Sequence, residues 1–232
     1  MQTIDAAAFA HTASAPALDD ASVHLWLLAI EHAPDHRAVA AAAHALLGRL
    51  LASYAGIGQA PVIARTGRGK PYAPALAGLD FNLSHARDHA LIAIARAQPL
   101  GVDLERIDRT LDAHELARRF FSKREADALG AVPDAQRGTA FLRLWTCKEA
   151  VLKALGAGIS FGLDRVAFDL DATGSPAAIA DVAAEAGEAA GWQVSLLEPA
   201  AGFLGALAWH GAPRQVRTFV AGAGAGLAAP HA

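Results

Sequence analysis

Residues 79–107 read LDFNLSHARDHALIAIARAQPLGVDLERI. Aliphatic and β-branched residues cluster between polar breaks, a pattern that predicts three short strands joined by tight loops. Toward the N-terminus, VHLWLLAI (23–30) is short and strongly apolar and predicts another strand. Asp35 then opens a helical run with Val39, Ala43, Leu46, Leu47 and Leu50 on one face, and Gly56 and Gly58 end it. PVIAR (61–65) predicts a short strand and TGRGKPYAP (66–74) a turn-rich loop. Toward the C-terminus the texture becomes helical. DAHELARRFFSKREADALG carries two helical pieces, and Ser122 with Glu125 three residues on is a capping-box signature. FLRLWTCKEAVLKALG (141–156) predicts a further helix, and LDRVAFDLD, WQVSLLE and FLGALAWH predict strands. The order is that of an α+β protein whose two halves meet near residue 110. Its predicted parts are a loose lead-in over 1–20, an N-terminal half over 21–109, a C-terminal half over 110–220 and a disordered Ala/Gly tail over 221–232. Within the second half, 172–191 is rich in Ala, Gly and acid and predicts a loop with room for a weak strand or helix.

The 232 residues are 53% hydrophobic with a net charge of −3. So balanced a charge excludes a global basic field for nucleic acid, and an anionic partner must meet a local patch. No membrane span or signal peptide is visible, and the lone Cys147 allows no internal disulfide, which together point to a cytoplasmic protein. Cys147, between Trp145 and Val151, reads as a packing residue rather than a nucleophile.

Five stretches carry chemistry. In GVDLERI (101–107), Asp103 and Glu105 stand two apart on a predicted strand, so both point to one face with Cα atoms roughly 7 Å apart. Two carboxylates at that spacing can converge on Mg²⁺, or simply form an exposed strand face. On the helix, Trp145, Glu149 and Lys153 recur every four residues along one stripe, as a cleft lining or as a surface ion pair. Arg65, Arg68 and Lys70 sit in a glycine-containing loop that suits phosphates or is merely a solvated turn; its spacing is not that of a P-loop. Ser84 and His85 are neighbours on a strand, which rules out a hydrolase dyad and leaves phosphate binding or a satisfied histidine. Arg118, Arg119, Lys123 and Arg124 flank Phe120 and Phe121 in the densest positive cluster, either a solvated helix face or a dock for an acidic protein.

Taken together and in order, GRGKPYAP, FNLSHA, GVDLE, RFFSKRE and LRLWTCKEAVLKALGAGIS resemble the motifs of 4′-phosphopantetheinyl transferases of the long, surfactin-synthetase-activating (Sfp) type. The resemblance spans about residues 37–170. It implies a monomer of two pseudo-symmetric halves, each a small, mainly antiparallel sheet packed on helices, with the active site in the cleft between them. It implies transfer of the phosphopantetheine arm of coenzyme A to a serine of an apo-carrier protein, with release of adenosine 3′,5′-bisphosphate. By position, Asp103, Glu105 and Glu149 would hold Mg²⁺, with Mn²⁺ an alternative ion. Arg65, Arg68, Lys70, Ser84 and His85 would hold coenzyme A phosphates, and Lys153 would reach the pyrophosphate. Glu149 is the candidate base and Glu105 the alternative. The carrier, acidic in this class, would dock near Arg118, Arg119, Lys123 and Arg124. The same carboxylates would also serve a metal-dependent nucleotide pyrophosphate hydrolase, and the same cations a non-catalytic coenzyme A-binding domain.

Overall fold

The computed structural model describes residues 1–12, 14–31, 33, 35–108, 111–158 and 161–221. The chain order is β1 (Gln2–Asp5), β2 (Ala10–His11), β3 (Ser22–Ala29), α1 (His36–Ala55), β4 (Ala64–Arg65), β5 (Pro71–Tyr72), β6 (Leu79–Ala86), β7 (His89–Arg96), β8 (Leu100–Arg106), α2 (Ala113–Phe120), α3 (Lys123–Ala131), α4 (Asp134–Leu155), β9 (Val166–Leu170), β10 (Pro176–Val182), β11 (Trp192–Glu198), β12 (Phe203–His210) and β13 (Gln215–Ala221). This is the expected α+β class.

Local signals fix the helix ends. Asp35 caps α1 by accepting the Ala38 N–H, and Ser122 and Glu125 close a full capping box on α3. Both long helices stop at a left-handed glycine, Gly56 (φ 65°) and Gly156 (φ 65°), a backbone geometry that glycine adopts without steric cost.

Two sheets form the centre. One has the order β2-β13-β3-β7-β6, the other β1-β11-β12-β8. Strand β3 is buried on both faces, which is why it reads as a continuous apolar run. Val23, Leu25 and Leu27, with Leu91, Ala93 and Ala95 of β7, meet Leu100, Val102 and Leu104 of β8 and Leu207 and Trp209 of β12 between the sheets. The outer face of the first sheet, with Trp26, Phe81, Ile92 and Ile94, packs on Leu46, Leu47, Leu50 and Leu51 of α1. The outer face of the second, with Leu196, Leu204, Ala206 and Ala208, packs on α4, including Val151 and Leu152. The layers are thus helix, sheet, sheet, helix, with the apolar stripe of each helix buried on a sheet. By length and composition α1 is apolar enough to cross a membrane, but here its apolar residues cover a sheet.

Two expectations are corrected and a third is sharpened. Residues 1–20 are no loose lead-in: β1 pairs in parallel with β11, and β2 with β13. The halves interleave rather than part at residue 110. Strand β13 runs parallel to β3 in the α1-side sheet, while β8 pairs with β12 in the other. Residues 176–182, within the segment expected as a loop with room for a weak strand or helix, form the strand β10 and pair with β9. For β1, β2 and β13 the ordering comes from distant backbone partners, whereas β10 folds back on its chain neighbour β9. The expected tail over 222–232 lies outside the described residues, and Ala221 closes β13.

Candidate active site

Alternation along β8 sends Leu100, Val102 and Leu104 into the inter-sheet core and turns Gly101, Asp103 and Glu105 the other way, toward α4. Gly101 is the point of closest approach. A Cβ there would stand 2.0 Å from the Ala150 carbonyl oxygen and 2.5 Å from the Ala154 nitrogen, both backbone atoms of α4. Gly101→Ala is therefore expected to push α4 off β8 and to cost about 2–4 kcal/mol, read from the urea unfolding midpoint.

The contact brings Lys153 onto Asp103. Lys153 Nζ donates to Asp103 Oδ1 (2.6 Å), Ser84 Oγ (3.0 Å) and the Val102 carbonyl (3.1 Å). Ser84 Oγ in turn donates to Asp103 Oδ1 (3.0 Å). On β6, Asn82 and Ser84 turn toward β8, and the Asn82 Oδ1 accepts the Val102 N–H (2.9 Å). Side chains from β6 and α4 thus satisfy both backbone groups of Val102 where β8 forms the edge of its sheet. Asn82 is a site residue the sequence reading missed, although it stands inside the FNLSHA stretch.

The other oxygen of Asp103, Oδ2, and Glu149 Oε1 are both buried and accept no hydrogen bond. Burial, then repulsion from Asp103 and Glu105, raises the Glu149 carboxyl to about 7, against the pull of Lys153. Asp103, Glu105 and Glu149 therefore lie near enough to repel one another but do not close into a cage. Among the described residues no group of three His, Cys, Asp or Glu side chains stands close enough to enclose an ion. Two buried carboxylate oxygens without a donor are costly, and a hard divalent cation satisfies such a pair. Mg²⁺ asks a protein for only one or two carboxylates and takes its remaining ligands from phosphate and water. The residues present fit it.

Beside this cluster lies a cavity of about 550 Å³ between α1, the 63–71 loop, β6 and the end of α4. Arg65, Arg68, Lys70, Ser84, His85 and Lys153 all line it, together with His44 and Asn82, which were not anticipated. Arg65 Nη1 donates to the Gly69 carbonyl (2.8 Å) and braces its own turn. Lys70 Nζ donates to the carbonyls of Ala154 (2.7 Å) and Leu100 (3.3 Å), so it ties the loop to the last turn of α4. Burial holds its ammonium below the usual lysine range.

Lys148 and Glu149 diverge although they adjoin. Lys148 is fully buried on the far side of α4, where it pairs with Glu125 Oε1 (2.8 Å) and donates to the carbonyls of Leu163 (2.9 Å) and Val166. Glu125, expected only as a cap, also accepts the Phe168 N–H (2.8 Å). Trp145 leaves the stripe it was expected to share with Glu149 and Lys153 and packs instead among Phe120, Phe121 and Phe141. An aromatic ring gains more from that apolar cluster than from a polar cleft. Of the basic cluster, Lys123 pairs with Asp127 and Arg124 with Asp169, while Arg119 stacks over Phe120 and Arg118 stands exposed.

Residues 99–206, from β8 through β12, match the family model of the 4′-phosphopantetheinyl transferase superfamily. Through this segment, a little under half of the chain, the protein is similar to that superfamily. The segment holds Asp103, Glu105, Glu149 and Lys153, while most of the cavity wall, from His44 to His85, precedes it. Among curated relatives, the chain is 42% identical over 131 residues to the 4′-phosphopantetheinyl transferase HetI of Nostoc sp., covering 55% of each chain. It is 36% identical over 106 residues to the 4′-phosphopantetheinyl transferase Sfp of Bacillus subtilis, covering 46% of each. It is 31% identical over 120 residues to the L-aminoadipate-semialdehyde dehydrogenase-phosphopantetheinyl transferase of Xenopus laevis, covering 47% of this chain and 40% of that one. The chain spans about half the length of the curated relatives it matches.

Proposed function

We propose that this protein transfers the 4′-phosphopantetheine arm of coenzyme A to a serine of an apo-carrier protein and releases adenosine 3′,5′-bisphosphate. One observation carries the reading: two buried carboxylate oxygens without donors, Asp103 Oδ2 and Glu149 Oε1, adjoin a cation-lined cavity of about 550 Å³. A phosphate-rich co-substrate and a divalent cation complement both halves of that arrangement.

In this reading Arg65, Arg68, Lys70, Ser84 and His85 hold the nucleotide end of coenzyme A. Asp103 and Glu149 would hold Mg²⁺, with Glu105 beside them, and when bound it supplies charge neutralisation across the pyrophosphate. The carrier serine attacks the β-phosphorus as the bond to the bridging oxygen breaks. Lys153, already clamped at the boundary of cavity and carboxylates, donates toward the charge that develops on the leaving phosphate. Glu149, through an oxygen left free of the metal, takes the serine proton, and Glu105 is the alternative base.

The deciding experiment mixes the protein, Mg²⁺, coenzyme A and a panel of apo-carriers, and follows intact mass. A carrier that gains the phosphopantetheine arm supports the reading. Cleavage of coenzyme A without any carrier, or binding with no transfer to any carrier, overturns it.

The acidic carrier docks, in this reading, on the exposed face of α2. Lys123 and Arg124 already have carboxylate partners, so Arg118 and Arg119 carry the attraction. Reversing both to Glu is expected to raise the KM for the carrier about tenfold, and more at low salt, with the KM for coenzyme A unchanged. Equal changes in both constants would refute docking there.

A further inference from the structure

Helix α1 brings one histidine to the cavity. His44 lines the wall, and its Nδ1 lies 2.7 Å from the carbonyl oxygen of Ala40, one turn earlier. A carbonyl only accepts, so Nδ1 carries a proton and donates it. The tautomer is thereby set. In the neutral ring Nε2 is then a bare lone pair, which repels a phosphate oxygen. Only the imidazolium has an Nε2–H to offer.

His85 reaches the same wall from β6, where alternation turns it with Phe81 and Leu83 toward α1. Burial first, then the charges of His44, Lys153 and His36, hold His85 below the ordinary histidine range. The other charged groups around it are Arg65, Arg68 and Lys70 of the loop, with Asp80 of β6 acting on Lys70. Beside these basic groups the wall carries two imidazoles, the side-chain type that can gain a proton when an anion enters. An entering phosphate supplies the negative charge that favours their protonated forms.

Resting on the reading above that coenzyme A fills this cavity, we propose that His44 is a phosphate ligand of coenzyme A which must take up a proton to bind it, with His85 protonating alongside. The sign follows from linkage. The complex holds more protons than the free site, so affinity rises as pH falls.

The test is calorimetric titration of coenzyme A into Mg²⁺-equilibrated protein, without carrier, from pH 6.5 to 8.5. That window keeps a phosphate monoester largely dianionic, since its second pKa is about 6. Two buffers of different ionisation heat give the proton count. Wild-type protein is expected to take up protons, and its Kd to rise about tenfold across the window. His44→Gln is expected to take up fewer protons and to show a flatter profile. His44→Arg should recover the affinity with the flatter profile, because its charge is permanent. His44 is exposed, so neither change threatens the fold. Dephospho-coenzyme A identifies the phosphate: unchanged uptake assigns His44 to the pyrophosphate, and uptake reduced to the His44→Gln value assigns it to the 3′-phosphate. A His44→Gln protein with the wild-type proton count and pH profile overturns the inference. Failure of wild-type protein to bind coenzyme A at any pH strikes the proposed function itself.

Discussion

Glu149→Gln is expected to abolish transfer and at the same time to make the folded protein more stable above pH 7. The carboxyl sits at about 7 in the folded chain against 4.5 in the unfolded one. Below 4.5 both states are protonated and the group costs nothing. As pH rises from there to 7, the unfolded chain loses its proton first, so the fold becomes progressively less stable. Above 7 the full penalty applies, on the order of 2–3 kcal/mol with no divalent cation present. The neutral amide removes that penalty and can donate to the buried Asp103 Oδ2, which accepts no other bond. Thermal melts in chelator should therefore show the variant about 5 °C higher at pH 8 and level with wild type near pH 4. Added Mg²⁺ should raise the wild-type melting temperature at pH 8 and narrow the gap. Transfer should fall at least about a thousandfold, because the proton acceptor and a cation ligand go together. Full activity would sink the site assignment; a lower melting temperature at pH 8 would sink the electrostatic account.

Lys148→Met should have the largest effect on stability. The ammonium is wholly buried and is met by Glu125 at 2.8 Å, by two backbone carbonyls and by the ring of Phe121 at 4.9 Å. Removing it strands the Glu125 carboxylate, itself 1% exposed, together with the carbonyls of Leu163 and Val166. Breaking such a pair from one side costs about 3–5 kcal/mol. In a chain of this size that lowers the melting temperature by about 10 °C. Glu125→Gln added to Lys148→Met should recover part of the loss, since no net charge then remains buried. A single-variant loss under about 1 kcal/mol would show that water reaches the site. The pair ties α3, α4 and β9 together, and so sets the helix whose opposite side carries Glu149.

Much of this frame was legible because it is local. Asp35, Ser122, Glu125, Gly56 and Gly156 act on backbone groups within five residues of themselves, so capping rules reach them. Asp103 and Glu105 fall on one face by strand periodicity, whatever the rest of the chain does. The burial of Lys148 was not legible, because Glu125 lies 23 residues away and the two meet only when α3 packs on α4. Nor was the place of β1, β2 and β13, whose parallel partners lie far along the chain. His44 reaches the cavity wall only because α1 lies against β6.

The sequence by itself determined which residue types were available, where helices begin and end, and that Asp103 and Glu105 share one strand face while Glu149 and Lys153 stand one turn apart on a helix. Such information survives in one dimension because hydrogen bonds of caps and turns, and the periods of helix and strand, span only a few residues. Only the tertiary structure decided which charges face the cleft and which vanish into the core. Of two adjacent charges on α4, Lys148 found a buried carboxylate and Glu149 found two more of its own sign. That outcome depends on the rotation of one helix against two sheets, and no local rule records it.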